Sequence, residues 1–66
     1  MKSYVYYDVV YYLDEEMNEL RCQGFKTRSQ AMKYYEENKN EYYGWWITKR
    51  RQYEDGNDDI LEDLVA

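Results

Sequence analysis

Residues 3–13 read SYVYYDVVYYL, a run rich in aromatic and β-branched residues and unbroken by glycine or proline. This composition predicts a strand. Side chains alternate across a strand, so the run divides into two faces. The odd positions, Val5, Tyr7, Val9, Tyr11 and Leu13, are the more apolar and are expected to face the core. The even positions, Tyr4, Tyr6, Asp8, Val10 and Tyr12, are amphipathic and are expected to face solvent or a partner. A strand rich on both faces reads as central in its sheet.

Working outward, residues 14–18 form a polar reversal, and residues 19–25 (ELRCQGF) read as a second, weaker strand. The short separation makes the two an antiparallel hairpin. Thr27 and Gln30 have the spacing of a capping box, which predicts a helix over about residues 28–39. Ala31, Tyr34, Tyr35 and Asn38 give it one apolar stripe, with Met32 beside them. Residues 42–53 (YYGWWITKRRQY) read as a third strand. On regular alternation, Tyr43, Trp45 and Ile47 share one face and Tyr42, Trp46, Thr48 and Arg50 the other. Gly44 interrupts the run and marks a bulge or a close approach. Asp55-Gly56-Asn57 is a turn. The spacing of Ile60, Leu61, Leu64 and Val65 then predicts a short acidic helix.

The expected fold is therefore α+β: a ββαβ chain with a three-stranded, mainly antiparallel sheet of order 2-1-3. One helix covers one face, and a short acidic helix closes the chain. A length of 66 residues fits a single domain, with residues 54–66 as an acidic tail. A domain this small buries only about 60% of its unfolded surface. Disulfides and metals offer no help, because Cys22 is the one cysteine and histidine is absent. Self-association, through a sheet face or a strand edge, is the expected remedy. A lone thiol suits a reducing cytoplasm. No run of about 18 apolar residues spans a membrane, and the first residues lack a secretory signal core.

The net charge of −5 is unevenly distributed. Residues 54–66 hold Glu54, Asp55, Asp58, Asp59, Glu62 and Asp63 and no base. Residues 1–53 hold nine basic and eight acidic side chains.

Three constellations bear on function. Doubled aromatics in strands place a ring on each sheet face, and one helix covers only one of them. Tyr4, Tyr6, Tyr12, Tyr42 and Trp46 are the expected partner-binding residues, since Tyr and Trp dominate binding hot spots. The plainer alternative is tyrosine as an ordinary strand residue with its hydroxyl in water. The acidic tail, through Asp58, Asp59 and Glu62, reads as an aid to partner binding, as a mimic of a phosphate backbone, or as a solubilising final turn. Lys49, Arg50 and Arg51 lie among aromatics, the ingredients of single-stranded nucleic-acid binding. They match no established signature, and pairing with the acidic tail is the competing reading. Catalysis has little to stand on: no histidine serves acid–base work, no nucleophile motif surrounds Ser3 or Ser29, and nothing activates Cys22. No catalytic, metal-binding or cofactor-binding residue is assigned.

The aromatic hairpin Tyr4–Phe25, the Phe25-Lys26-Thr27-Arg28 lead into a single helix and the acidic end together resemble the small anti-defence inhibitors of bacteriophages and mobile elements, anti-CRISPR proteins among them. The resemblance implies a non-enzymatic inhibitor of a host protein, acting in the host cytoplasm and often dimeric. It assigns no functional residue.

Overall fold

In the computed structural model, which describes residues 2–66, Ser3–Tyr12 forms β1, Leu20–Phe25 β2, Arg28–Asn38 α1, Tyr43–Tyr53 β3 and Asp58–Val65 β4. The four strands make one sheet of order β2-β1-β3-β4, and every neighbouring pair is antiparallel. β1 lies between β2 and β3, where its two-sided apolar character places it.

The three-stranded sheet with a C-terminal helix is corrected to four strands and one helix. The acidic segment is β4, an edge strand hydrogen-bonded to β3. A hairpin sets it up: the Tyr53 N–H donates to the Asn57 carbonyl at 2.9 Å, and the Gly56 N–H donates to Tyr53. Gly56, at φ 93°, supplies the turn conformation that other residues resist. The misleading helical spacing comes from two register shifts in the β3–β4 ladder, which skip Leu61 and Leu64. Each extra residue resets the strand alternation. Ile60, Leu61, Leu64 and Val65 thus acquire a spacing of three and four without any helix.

The core follows the odd positions of β1. Val9, Tyr11 and Ile47 are buried against Ala31 of α1. Complete enclosure of Val9 and Ile47 contributes about 1.5–3 kcal/mol each. Tyr11 is the hub of an aromatic cluster. Its ring stacks on Tyr42 at 4.8 Å and on Trp45 at 4.9 Å, and meets Tyr34 of α1. The Tyr11 and Tyr34 hydroxyls are 2.8 Å apart, and Gln23 Nε2 donates to both. Burial and the bond with Tyr11 push the Tyr34 phenol up to about 12.

The helix starts as its capping box predicts. Gln30 N–H donates to Thr27 Oγ1, and Thr27 N–H donates back to Gln30 Oε1. Asn38 ends it by donating its side-chain amide to the Tyr34 carbonyl at 2.8 Å. α1 rests mainly on β1 and β2.

Gly44 is a bulge and a close approach at once. The β1–β3 register runs from Ser3 opposite Tyr53 to Val10 opposite Trp46, then shifts to Tyr12 opposite Tyr43. Gly44 has φ 59°, and a Cβ there would lie 2.9 Å from a Tyr12 ring carbon. The shift exchanges two neighbours. Tyr43 turns to the face away from α1, while Tyr42 joins the core. The expected placement of Tyr42 on the outer face is therefore corrected. The molecule is a slab of 40 × 24 × 15 Å, and among the described residues no helix or strand covers the face opposite α1.

Candidate functional site

The uncovered face is assembled from the even positions of β1 and the residues registered against them. Tyr6 pairs with Arg50, Asp8 with Thr48 and Val10 with Trp46 on β3. Val10 also faces Cys22, and Tyr12 faces Leu20, on β2. Asp63, Ile60 and Asp58 of β4 complete the row opposite Thr48, Arg50 and Gln52.

A polar network occupies its centre. Arg50 Nη1 donates to Asp58 at 2.8 Å, and Arg50 Nε donates to Thr48 Oγ1 at 2.9 Å and lies 3.6 Å from Asp8. The Tyr6 hydroxyl donates to the same Asp58 carboxylate at 3.3 Å. The Arg50 guanidinium also sits 5.6 Å from the centroid of the Trp46 ring, and Trp46 Nε1 donates to Asp63 at 2.9 Å. Thr48 is buried, and the Arg50 side chain is only 18% exposed. Burial raises the Asp8 carboxyl above its ordinary value, with Arg50 opposing the shift. The Arg50 hydrogen bond pulls Asp58 below its own. Burial, with help from the Asp58 charge, raises the Tyr6 phenol. A charge in the middle of a central strand must be paired to be tolerated, and Arg50 provides the pair.

Apolar groups flank this network. Tyr4 is 63% exposed and lies 5.9 Å from Tyr6, centroid to centroid. Toward the other end of the strands lie Trp46, Tyr43, Met17 and Leu20, and Ile60 is exposed on the β4 side. The result is a flat surface with aromatic ends and an ordered polar middle. That arrangement suits recognition, in which apolar anchors supply affinity and placed polar groups supply orientation.

Of the partner-binding residues expected from sequence, Tyr4, Tyr6, Tyr12, Trp46 and Asp58 lie on this face. Three do not. Tyr42 is in the aromatic core. Asp59 and Glu62 project to the helix side, where Asp59 accepts from the Tyr53 hydroxyl at 2.9 Å and Glu62 lies 3.8 Å from Arg28. Sequence reasoning missed Tyr43, Leu20 and Ile60, together with the Asp8–Thr48 part of the network. Asp8 was the available signal, since a lone carboxylate within an apolar strand calls for a cation across the sheet. Tyr43 required the bulge to be placed.

The basic cluster is divided by the pleat. Arg50 enters the outer network, whereas Lys49 and Arg51 face the helix side. There Lys49 stands opposite Glu62, and Arg51 stands opposite Asp59 and reaches Ser3 Oγ at 3.4 Å. Among the described residues, no group of three potential ligands is arranged to hold a metal ion. No helix there is long and apolar enough to cross a membrane. No known protein family, curated protein or solved structure matches this chain.

Proposed function

We propose that the chain is a non-enzymatic binding protein that blocks a target protein by covering its surface with the open sheet face. One observation carries the reading: among the described residues no helix or strand covers one face of the sheet, yet it displays Tyr4, Trp46, Tyr43 and Ile60 around an ordered Arg50 network. Large apolar side chains gathered on one surface mark interaction sites. Prior ordering of Arg50, Asp58 and Tyr6 lowers the entropic cost of binding. The likeness to phage and mobile-element inhibitors makes a host defence protein the target class and the host cytoplasm the place of action. The acidic β4 edge borders the face and favours a target surface with basic groups.

The test is capture of a target by the tagged chain, followed by affinity measurement with the purified target. Trp46→Ala and Tyr4→Ala are expected to weaken binding by at least tenfold each, the loss typical of hot-spot truncation. Circular dichroism should be unchanged, because both side chains are substantially exposed. Ser29→Ala, at the exposed start of α1 on the helix side, should leave the affinity unaltered. A target whose affinity ignores both aromatic truncations and responds to helix-side changes would overturn the proposal.

A further inference from the structure

The two edges of the sheet are built differently. β4 carries Asp58, Asp59, Glu62 and Asp63 and is interrupted by two register shifts. Charges and bulges are the devices that keep an edge strand from pairing with another chain. β2 has neither device. Its register against β1 is continuous from Phe25 to Leu20, and Arg21 is its one charged residue.

The open hydrogen-bonding groups of β2 can be assigned. The Leu13 N–H donates to the Glu19 carbonyl at 2.9 Å, one step beyond the Tyr12–Leu20 pair. In an antiparallel ladder, hydrogen-bonded and non-bonded pairs alternate. The odd residues of β2 therefore bond to β1. Leu20, Cys22 and Gly24 direct their backbone groups to the open edge. The Arg21 guanidinium confirms this, reaching around to the Leu20 carbonyl at 3.2 Å.

We infer that β2 pairs antiparallel with β2 of a second copy, joining the two sheets into one of eight strands. A two-fold axis through Cys22 places Cys22 opposite Cys22 and Leu20 opposite Gly24. This register engages all three outward residues of each strand. It also sets Arg21 against Gln23 and Glu19 against Phe25, so no like charges meet. Centring on Arg21 would oppose two guanidiniums, and centring on Gln23 would leave Leu20 outside the ladder.

The helix side supports the same axis. α1 rests on β1 and β2, and strands are about 4.8 Å apart. The two α1 helices would then lie about 10 Å apart, antiparallel, at ordinary packing distance. Lys33 and Glu37 are exposed on the side of α1 that, with Phe25, lines a groove next to β2. Across the axis, Lys33 meets the partner's Glu37, and the pairing is repeated by symmetry. The dimer also aligns the two open faces into one continuous surface. It stands independently of what that surface binds.

Sedimentation of the full chain is expected to give twice the 8.3 kDa monomer mass. The amides of Leu20, Cys22 and Gly24 should exchange more slowly as concentration rises, while those of β4 do not change. Cys22→Pro removes an outward N–H from each copy and leaves the β1 pairing intact. The loss of two net hydrogen bonds should weaken the dimer about 30-fold. Cys22→Lys should weaken it by a similar factor through facing charges, and it protects the test if the proline variant folds poorly. Trp46→Ala should leave the dimer intact. A wild-type chain that stays monomeric up to about 1 mM overturns the proposal. So does a dimer that survives both Cys22 variants, or one that Trp46→Ala dissolves, which would place self-association on the open face.

Discussion

Arg50 answers three separate demands. It neutralises Asp8, bonds Asp58 and Thr48, and lies beside the Trp46 ring. Asp8 is the costly member, since burial is the first cause of its raised carboxyl value. Removing the cation should expose that cost. Arg50→Met is expected to destabilise the fold by about 2 kcal/mol, the usual result of leaving a partly buried polar group without its partner. Asp8→Asn in the same background should recover part of the loss, and a double-mutant cycle by urea unfolding would measure the coupling. Equal losses in the single and double variants would mean that Arg50 acts through Asp58 alone. The sign for Asp8 follows from its shift. A raised folded value means the folded state favours the proton, so its contribution is full below the ordinary value of 3.8 and falls as pH rises. Asp8→Asn by itself should thus match or exceed the wild type in stability at neutral pH and lose any advantage in acid. Tyr34 has the same sign at the alkaline end. Its phenol is raised from 10.0 to about 12, so the folded state resists its ionisation. Stability should fall as pH rises from 10 toward 12. Tyrosinate absorbance should show the Tyr34 phenol ionising only together with unfolding. A Tyr34 that ionises near pH 10 in the folded chain would contradict the hydrogen-bonded, half-buried Tyr11–Tyr34–Gln23 arrangement.

Among the elements, β4 separates two accounts of the acidic segment. A solvated tail can be removed without harm, whereas a strand cannot. Leu64 and Val65 pack on the core, and β4 covers the outer edge of β3, where Ile47 and Thr48 are buried. Deleting residues 58–66 should therefore abolish the cooperative unfolding transition and collapse the amide dispersion of the nuclear magnetic resonance spectrum. A deletion that keeps both would return the segment to the status of an appendage. The same element shows what the sequence discloses and what it hides. The alternation in residues 3–13 reveals a central strand because each face has its own chemistry, and Thr27 with Gln30 reveals a helix start because the cap is local. β4 was hidden because two skipped residues impose a helical spacing on a strand. The open face was legible through Tyr4, Tyr6, Tyr12 and Trp46, which precede or avoid any register shift. Tyr42 and Tyr43 were read in exchanged positions because a bulge at Gly44 inverts the alternation. Its signal was the glycine itself, but a glycine does not announce which neighbour turns inward. Long-range pairing decides that, through the approach of Gly44 to the Tyr12 ring.

For the whole molecule, the question is whether its basic residues act outward or inward. The chain carries −5 overall, and β4 lays its acids along the strand that holds Lys49, Arg50 and Arg51. Arg50 is engaged by Asp58 and Asp8, and Lys49 and Arg51 each have a carboxylate residue across the ladder. The slab is only 15 Å thick. At about 10 mM salt the screening length is about 30 Å, so the acidic edge is felt through the whole thickness of the protein. Low salt strengthens attraction between a basic protein and a phosphate backbone. Here it should instead strengthen repulsion, because the net charge is negative. Fluorescence anisotropy with labelled single- and double-stranded oligonucleotides at about 10 mM salt should accordingly show no binding. Replacing Asp59 and Glu62 with Asn and Gln would remove the two carboxylates registered opposite Arg51 and Lys49 and should permit weak, salt-sensitive association, without sequence preference because no base-reading groups accompany them. If the unmodified chain binds at low salt and loses affinity steeply as salt rises, the acidic strand does not mask its basic neighbour. The open face would then have to be weighed as a stacking platform for bases and not as a surface for protein.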